Sequence, residues 1–215
     1  NPDVTKLFNK ADALGIACDV TNLAAMQSAV AQTVRRFGGI DIVVSNAGIF
    51  SPSESLDKMT AENWQRSLDL NLTSAQHLIQ LTIPYLRLGV DPTIIINASK
   101  NVPAPGPGAG AYSVAKAGLT QLARVAALEL AKDGIRVNVL HPHAVFDTAA
   151  WTPEVLAARA KHYGMTVDQY KRNNLLSLEV TSKDVASLVC AMAGAPFAKT
   201  TGAQVPSDGG SDRVV

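Results

Sequence analysis

The chain is predicted to form one α/β domain, spanning residues 1–215, with a doubly wound parallel sheet. Short apolar runs alternate with helical patterns along the chain, and 47% of the residues are hydrophobic. One run, Ile94-Ile95-Ile96, is apolar at consecutive positions, as expected for a strand that helices cover on both faces. A chain of 215 residues is long enough to bury a substantial core as one domain.

Strands and helices are predicted to follow one another in turn. A short apolar run bounded by turn residues predicts a strand, and apolar residues that recur with a helical period predict a helix. This alternation favours right-handed crossovers between neighbouring parallel strands. The predicted strands are Ile16–Val20, Ile40–Ser45, Thr93–Asn97, Ile135–Leu140 and Ala203–Pro206, and the predicted helices are Leu23–Phe37, Thr60–Leu88, Ala111–Lys132, Pro153–Asn173 and Ser182–Met192.

Capping and breaking residues predict where the helices begin and end. Thr21 or Asn22 can cap the first helix and Thr60 the second, because their side-chain oxygens accept hydrogen bonds from the first turn. Gly134 is expected to end the third helix in a left-handed conformation. Pro84 is expected to kink or end the second helix.

The composition argues against several kinds of partner. The formal net charge is only +1, so no strong field would attract nucleic acid or an anionic membrane. No run of about 18 apolar residues predicts a membrane-spanning helix, and residues 1–13 show no signal-peptide pattern. Two widely separated cysteines, Cys18 and Cys190, fit a protein of the reducing cytoplasm.

A tyrosine and a lysine four residues apart form the most informative polar pair. Tyr112 and Lys116 follow a Gly/Pro-rich loop at the start of the third predicted helix, where residues at that spacing share one face. A neighbouring ammonium stabilises phenolate, so it is expected to lower the tyrosine pKa from about 10 towards neutrality. Such a tyrosine can exchange a proton with a substrate oxygen near neutral pH.

Further motifs lie close to the predicted strands. Ser99 follows the strand Thr93–Asn97, and Asn71 lies in the middle of the second predicted helix. The remaining motifs are Asp19-Val20, Ser45-Asn46-Ala47-Gly48, Asn138 to Pro142, Thr201-Gly202 and Asp208-Gly209-Gly210. In order and spacing this set resembles the short-chain dehydrogenase/reductase family over almost the whole chain. The resemblance implies a Rossmann-like fold and NAD or NADP as the cofactor.

The resemblance also implies a role for each matching residue. Tyr112 is the expected general acid/base, Lys116 is expected to hold the nicotinamide ribose, and Ser99 to hydrogen-bond the substrate oxygen. Asn71 resembles an asparagine that holds a water in the proton relay. The residues expected to contact the cofactor are Asp19, Val20, Asn46, Ala47, Gly48, Tyr112, Lys116, Pro142, Val145 and Thr148. The implied reaction interconverts an alcohol and its carbonyl compound.

The Gly-rich turn that opens this family's fold is not found. A strand, a Gly-rich turn and a helix normally cradle the cofactor pyrophosphate, but nothing before Asp19 matches that pattern. The first strands of the sheet are therefore expected to be missing. Residues 1–15 are interpreted as the end of a helix leading into a strand. The chain alone is expected to bind a dinucleotide poorly. The run Gly106–Gly110 is Gly-rich but precedes Tyr112, so it is interpreted as an active-site loop.

The residues after the fourth strand resemble one branch of the family. His143 follows Pro142 where many members have glycine, which makes the assignment of Val145 less direct. The stretches His141–Thr148, Trp151–Ala160 and Tyr170–Leu176 are similar to the dehydrogenase part of bifunctional aldolase/short-chain dehydrogenases associated with rhamnose catabolism. That branch implies a fused N-terminal aldolase domain and a small hydroxyaldehyde or sugar-derived alcohol as the substrate. Relatives of this kind also imply a homodimer or homotetramer.

Alternative interpretations of several features stay open. The long segment between Leu140 and Val180 predicts a lid over the site, in which Trp151 either packs or closes over a substrate. His141 and His143 form a His-x-His pair, but no third ligand has suitable spacing, so no metal is predicted.

The function also has alternatives at this stage. The chain could be a non-catalytic dinucleotide-binding or scaffold protein, or a same-fold epimerase or dehydratase. The complete set of four predicted catalytic residues favours an oxidoreductase, because a scaffold has no need of that set.

Overall fold

The computed structural model describes residues 12–211, and a parallel sheet of four strands organises this part of the chain. The strands are β1 (Ile42–Ser45), β2 (Thr93–Asn97), β3 (Arg136–Pro142) and β4 (Gln204–Ser207), in the order β1-β2-β3-β4 across the sheet. All three neighbouring pairs are parallel. The carboxyl ends of the four strands therefore meet at one edge of the sheet.

Helices cover both faces of this sheet. They are α1 (Leu23–Phe37), α2 (Ala61–Leu68), α3 (Ser74–Leu86), α4 (Gly110–Leu130), α5 (Pro153–His162), α6 (Val167–Lys171) and α7 (Ser182–Ala193). A π-helical turn, Asp69–Thr73, joins α2 to α3. The α/β fold with a parallel, helix-covered sheet that the sequence predicts is confirmed.

The central strand β2 is buried on both faces. Ile94 and Ile96 are fully buried in a cluster with Leu119 of α4, whereas Ile95 is fully buried on the other face with Met192 of α7. Successive side chains of a strand point to opposite faces, so a strand between two helical layers must be apolar at consecutive positions. This double burial fixes the position of β2, from which the site is built.

Most predicted element ends are confirmed to within two residues. Asn22 caps α1, since its side chain accepts a hydrogen bond from Ala25 N at 3.0 Å, and Thr60 caps α2 in the same way. Gly134 follows the turn after α4 with a φ of 72°. Pro84 lies in the last turn of α3, which ends two residues later.

Two predicted elements are wrong. Ile16–Val20 was predicted as a strand, but among the described residues it joins no ladder. A strand is stable only where a neighbour takes its backbone hydrogen bonds, and no described segment does so here. The predicted helix Pro153–Asn173 is divided into α5 and α6, because Gly164 adopts a φ of 66° and Thr166 begins a new helix with a capping box.

β1 is an edge strand of the described sheet. Ile42 and Val44 are 50% and 42% exposed, whereas Val43 between them is buried on the face that α3 covers. Among the described residues, one face of β1 is therefore apolar and open. The predicted end of a helix before residue 12 lies outside the described residues.

Leu119→Ala should lower the free energy of unfolding by about 2–5 kcal/mol, because it leaves a cavity in the core above β2. Leu119 is only 2% exposed. Leu128→Ala on the same helix is the matched control, since Leu128 is 81% exposed and its truncation should change stability by less than about 0.5 kcal/mol. Urea unfolding measures both values, and equal losses would contradict the packing described here.

Candidate active site

Three of the predicted catalytic side chains meet at the carboxyl edge of the sheet. Ser99 follows β2, while Tyr112 and Lys116 lie in the first two turns of α4. The Tyr112 and Ser99 side chains are hydrogen-bonded, and Lys116 Nζ lies 5.8 Å from the centroid of the Tyr112 ring. The parallel pairing of β2 and the start of α4 thus bring together a phenol, a hydroxyl and an ammonium.

Lys116 is anchored by the main chain of β2. Its side chain is buried, and Nζ donates a hydrogen bond to the carbonyl oxygen of Asn97 at 2.9 Å. Burial lowers the pKa of Lys116 to about 8, because the charged form loses its hydration. The lysine therefore still carries a positive charge at neutral pH and places it beside Tyr112.

The predicted lowering of the Tyr112 pKa is wrong for this structure. Burial raises the pKa of the Tyr112 phenol, and the hydrogen bond with Ser99 offsets only part of that rise. The ring of Phe50 packs at 4.8 Å from the tyrosine ring and adds an apolar neighbour. Because phenolate is poorly solvated here, Tyr112 is protonated at neutral pH and suits the role of a proton donor.

The loop after β2 orients Ser99. Its Oγ accepts a hydrogen bond from Asn101 N at 3.1 Å, which leaves the hydroxyl proton available for donation. The pairing of β2 with β3 continues past the strand, since Lys100 N donates to Pro142 O at 3.0 Å. The serine hydroxyl is therefore carried on a segment whose main chain is held by the neighbouring strand.

Asn71 connects the π-helical turn to the loop after β1. Its Oδ1 accepts from Ile49 N at 3.0 Å, and its Nδ2 donates to Ser67 O at 3.1 Å. A Cβ on Gly48 would lie 2.9 Å from Asn71 Oδ1 and 3.4 Å from Lys116 Nζ, so this close approach requires glycine. Asn71 lies at the site, but its side chain bonds to this scaffold. Turns of this π-helical type are frequent at functional sites.

The predicted cofactor residues divide into two groups. Those at the carboxyl edge are Asn46, Ala47 and Gly48 after β1, and Pro142, Val145 and Thr148 at and after β3. Asp19 and Val20 lie instead in the irregular segment before α1, where the Asp19 carboxylate accepts from Thr21 N and Oγ1. These two hydrogen bonds lower the pKa of Asp19.

The open carboxyl edge fits the nicotinamide half of a dinucleotide. Gly48 lets the loop after β1 approach the Lys116 ammonium closely, and Asn46, Ala47 and Gly48 are exposed. Hydroxyl groups of a ribose are suitable acceptors for an ammonium and partners for a phenol. Within residues 12–211, no Gly-rich turn links a strand to a following helix in the way that would cradle a pyrophosphate.

The segment between β3 and α7 is the one that the sequence predicts as a lid. Its aromatic rings form one cluster, in which Phe146 lies 4.9 Å from Trp151 and 5.8 Å from Tyr170, and Tyr163 stacks on Tyr170 at 5.7 Å. Trp151 therefore packs within the lid. Ring pairs at such distances contribute stability beyond the apolar area that they bury.

A cavity of about 320 Å³ lies between this lid and the ends of β3 and β4. Its volume is at the lower end of the range of small-ligand pockets, roughly 300–1,000 Å³. The walls combine aromatic rings with amide and basic groups. The residues on them include Lys100, His143, Phe146, Tyr163, Tyr170 and Asn173.

Two contacts fasten the lid to the sheet and to α7. The Asp147 carboxylate accepts hydrogen bonds from Ser182 N and Oγ, both at 2.7 Å, and these bonds lower the pKa of Asp147. Gly209 has a φ of 64°, and a Cβ there would lie 2.5 Å from Asn174 Oδ1. The glycine after β4 therefore allows the lid to approach the sheet closely.

Lys100 and Phe50 lie beside the site but were not predicted from the sequence. Lys100 is buried, donates from Nζ to Ser211 Oγ at 2.8 Å and lines the cavity. Its position directly after Ser99 is a signal that could have identified it. Phe50 follows the motif Asn46–Gly48, but an exposed aromatic residue in a loop has no pattern that predicts its contact.

The two histidines of the His-x-His pair have separate environments. His141 is buried, with Nδ1 at 2.9 Å from Ser99 O, whereas His143 lines the cavity. In the described part of the chain, no group of three or more His, Cys, Asp or Glu side chains is placed to hold a metal ion. No helix between residues 12 and 211 has the length and apolar character needed to cross a membrane.

Known proteins share this sequence pattern. The family model described as enoyl-(acyl carrier protein) reductase matches residues 1–212. The uncharacterized oxidoreductase YuxG from Bacillus subtilis (strain 168) is 31% identical over 97% of this chain, which spans only 31% of the length of that relative. The chain belongs to the short-chain dehydrogenase/reductase family, and the predicted enzyme class is confirmed.

Two solved structures are similar over more than nine-tenths of this chain. The L-sorbose reductase from Gluconobacter frateurii, complexed with NADPH and L-sorbose, has a TM-score of 0.84 at 26% identity, covering 94% of this chain and 78% of that one. The carveol dehydrogenase from Mycobacterium avium, in complex with NAD, has a TM-score of 0.82 at 28% identity, covering 91% and 73%. The Rossmann-like fold that the sequence predicts is confirmed.

Lys116→Met should raise the free energy of unfolding at pH 7, because it removes a buried cation. The folded-state pKa of about 8 lies below the ordinary value of 10.5, so the unfolded chain binds the lysine proton more tightly. Wild-type stability should therefore rise relative to the variant as the pH increases from about 8 towards 10.5. Urea unfolding across this range measures the difference, with the exposed Lys132→Met as control. A difference that does not vary with pH would contradict the burial of the charge.

Proposed function

We propose that this chain performs the substrate and proton chemistry of an NAD- or NADP-dependent oxidoreductase that interconverts an alcohol and its carbonyl compound. The observation that carries the proposal is the hydrogen-bonded pair Ser99 and Tyr112 beside the buried ammonium of Lys116. Membership of the family supports it, as do the NAD and NADPH bound by the two similar structures. When bound, the nicotinamide would supply or accept the hydride.

The residues proposed to contact the cofactor lie mostly at the carboxyl edge of the sheet. Lys116 and Tyr112 would bind the nicotinamide ribose, because a cationic donor and a phenol suit its hydroxyl groups. The further residues proposed for this role are Asp19, Val20, Asn46, Ala47, Gly48, Pro142, Val145 and Thr148. The close approach of Gly48 to Lys116 and the exposure of this loop support the assignment.

Tyr112 and Ser99 would act on the same substrate oxygen. In carbonyl reduction, Tyr112 donates its phenolic proton to that oxygen while Ser99 donates a hydrogen bond to it. The raised pKa of Tyr112 favours this direction, because the phenol holds its proton at neutral pH. In alcohol oxidation, the positive charge of Lys116 would stabilise the phenolate that takes the proton, and Asn71 would hold a water connecting the site to solvent.

The buried lysine argues against a purely structural role for this arrangement. An ammonium taken out of water destabilises a fold, as the lowered pKa of Lys116 shows. A non-catalytic scaffold would gain stability from an apolar side chain at that position. The charge is therefore best explained by a reaction in which Tyr112 changes its protonation.

We propose a small hydroxyaldehyde or sugar-derived alcohol as the substrate. The cavity between the lid and the sheet combines the rings of Phe146 and Tyr170 with the polar groups of Asn173 and of Lys100, the residue after Ser99. Aromatic faces pack against the C–H faces of a polyhydroxylated chain, while amides and amines bind its hydroxyl groups. The similarity to a reductase complexed with L-sorbose also supports this class.

We further propose a larger context for the chain. The chain would form one Rossmann-like domain, the dehydrogenase part of a bifunctional aldolase/short-chain dehydrogenase. The small share of YuxG that this chain spans supports the proposal. A homodimer or homotetramer is proposed because α4 exposes Val114, Val125 and Leu128. The free thiols of Cys18 and Cys190 agree with a cytoplasmic protein.

Tyr112→Phe in the complete gene product should lower kcat by about 10²- to 10⁴-fold, because the proton donor is lost. Absorbance of the reduced nicotinamide, followed with alcohol and carbonyl candidates and both cofactors, measures the turnover. Tyr85→Phe in α3 is the matched control and should keep full activity. Full turnover by Tyr112→Phe, or none by the wild type with any candidate, would refute the proposed reaction.

Asn173→Leu should raise KM for a polyhydroxylated substrate about 3- to 10-fold with little change in kcat, because one hydrogen bond of about 1 kcal/mol is lost. A simple alcohol without further hydroxyl groups serves as the control substrate, and its KM should not rise. Steady-state kinetics with the two substrates test the assignment of the cavity. An equal rise for both substrates, or for neither, would place the substrate elsewhere.

A further inference from the structure

Three polar side chains outside the proposed reaction lie together on the sheet face that α4 covers. They are His141 of β3, Gln204 of β4 and Arg124 of α4. Gln204 is the register partner of Val139, and alternate residues of β3 share one face. His141 is only 6% exposed, so its polar atoms need partners inside the protein.

The hydrogen bonds of His141 define one tautomer. Its Nδ1 lies 2.9 Å from the main-chain oxygen of Ser99. A carbonyl oxygen has no proton to give, so Nδ1 must carry the hydrogen and donate it. In the neutral ring, Nε2 then has no proton and must accept a hydrogen bond.

Gln204 and Arg124 complete the same arrangement. The orientation of the Gln204 amide is assigned from its partners: its nitrogen faces the acceptor His141 Nε2 at 3.2 Å, and its oxygen faces the donors Arg124 Nε at 2.7 Å and Nη2 at 2.9 Å. In this orientation every donor faces an acceptor. A directed series of hydrogen bonds therefore runs from the guanidinium on α4, through β4 and β3, to the carbonyl oxygen of Ser99.

The carbonyl oxygen of Ser99 is held from two sides. Val102 N donates to it at 3.1 Å from within the turn, and His141 donates from the neighbouring strand. The Ser99 hydroxyl on the same residue is hydrogen-bonded to Tyr112. A displacement of about 1 Å at a reacting group can lower a rate about 100-fold. The hydrogen bonds that fix the main chain of Ser99 should therefore affect the rate of the proposed proton transfer.

We infer that His141 is a positioning residue that fixes the main chain of Ser99, and that Gln204 and Arg124 keep its ring in the Nδ1–H tautomer. The inference rests on the proposed function, since it assigns how Ser99 is kept in place for that reaction. His141 does not touch the substrate in this arrangement and acts only through Ser99.

The tautomer can be tested without turnover. ¹⁵N-histidine labelling of the complete gene product, with His141→Asn to assign the signal, resolves the ring of His141. The expected spectrum shows a protonated Nδ1 and a bare Nε2 at neutral pH. In Gln204→Glu, the carboxylate can only accept, so His141 should become protonated on both nitrogens. A protonated Nε2 with a bare Nδ1 in the wild type would overturn the inference.

The positioning role is tested by kinetics. His141→Leu should lower kcat about 10- to 100-fold, because Ser99 loses one of the two donors that hold it. His141→Asn should recover part of that loss, since its amide can donate to the same carbonyl oxygen. The KM for NAD or NADP should not change, and the exposed His162→Leu is the matched control.

The outcomes separate this inference from the proposed function. If His141 had a merely structural role, its replacement would lower the midpoint of urea unfolding while kcat per folded enzyme stayed at the wild-type value. His141→Asn would then have no more activity than His141→Leu. That result would overturn the inference. Absence of turnover in the wild type would instead refute the proposed function and the catalytic part of the inference. The labelled spectrum would still decide whether the hydrogen-bond series exists.

Discussion

The ammonium group of Lys116, hydrogen-bonded to the main-chain oxygen of Asn97, connects the helix that carries the tyrosine to the central strand of the sheet. This hydrogen bond fixes how the start of α4 lies on β2. The loop at Gly48 packs so closely against the ammonium group that it has no room for a side chain at that position. The burial that this contact requires lowers the pKa of Lys116 to about 8, and burial also raises the pKa of Tyr112. At neutral pH the site therefore combines a cation with a protonated phenol, so the resting state suits the reduction of a carbonyl.

Parallel pairing concentrates the candidate site residues at one edge of the sheet. Each strand ends there, so the Asn46–Gly48 motif after β1, Ser99 after β2 and Pro142 at the end of β3 lie along that edge. Ligands of open α/β sheets bind at this edge because the strand ends leave a crevice between diverging loops. The lid then adds an aromatic wall and a cavity, and Asp147 and Gly209 hold it against α7 and the end of β4.

Helix α4 contributes to the site from two positions along its length. Its first turns carry the phenol and the ammonium, while Arg124, two turns beyond Lys116, begins the hydrogen-bond series that ends at the carbonyl oxygen of Ser99. The same helix packs its apolar residues, including Leu119, on the central strand. Rotation of α4 on the sheet would therefore disturb the tyrosine and the serine together, which explains why core packing and site geometry are closely coupled in this fold.

The sequence alone determined the alternation of strands and helices, the central strand from its run of three isoleucines, and the pairing of Tyr112 with Lys116 from helical spacing. These features depend on local periodicity, which a sequence displays directly. The tertiary structure decided the rest. Ile16–Val20 has the composition of a strand but no described neighbour to pair with, and the pKa of Tyr112 rises because burial depends on what packs around the ring. In the sequence, His141 stood out only as part of the His-x-His pair with His143. Its hydrogen-bond partner Gln204 lies 63 residues further along the chain. A contact over that distance is set by how the strands pair, so only the folded chain could reveal it.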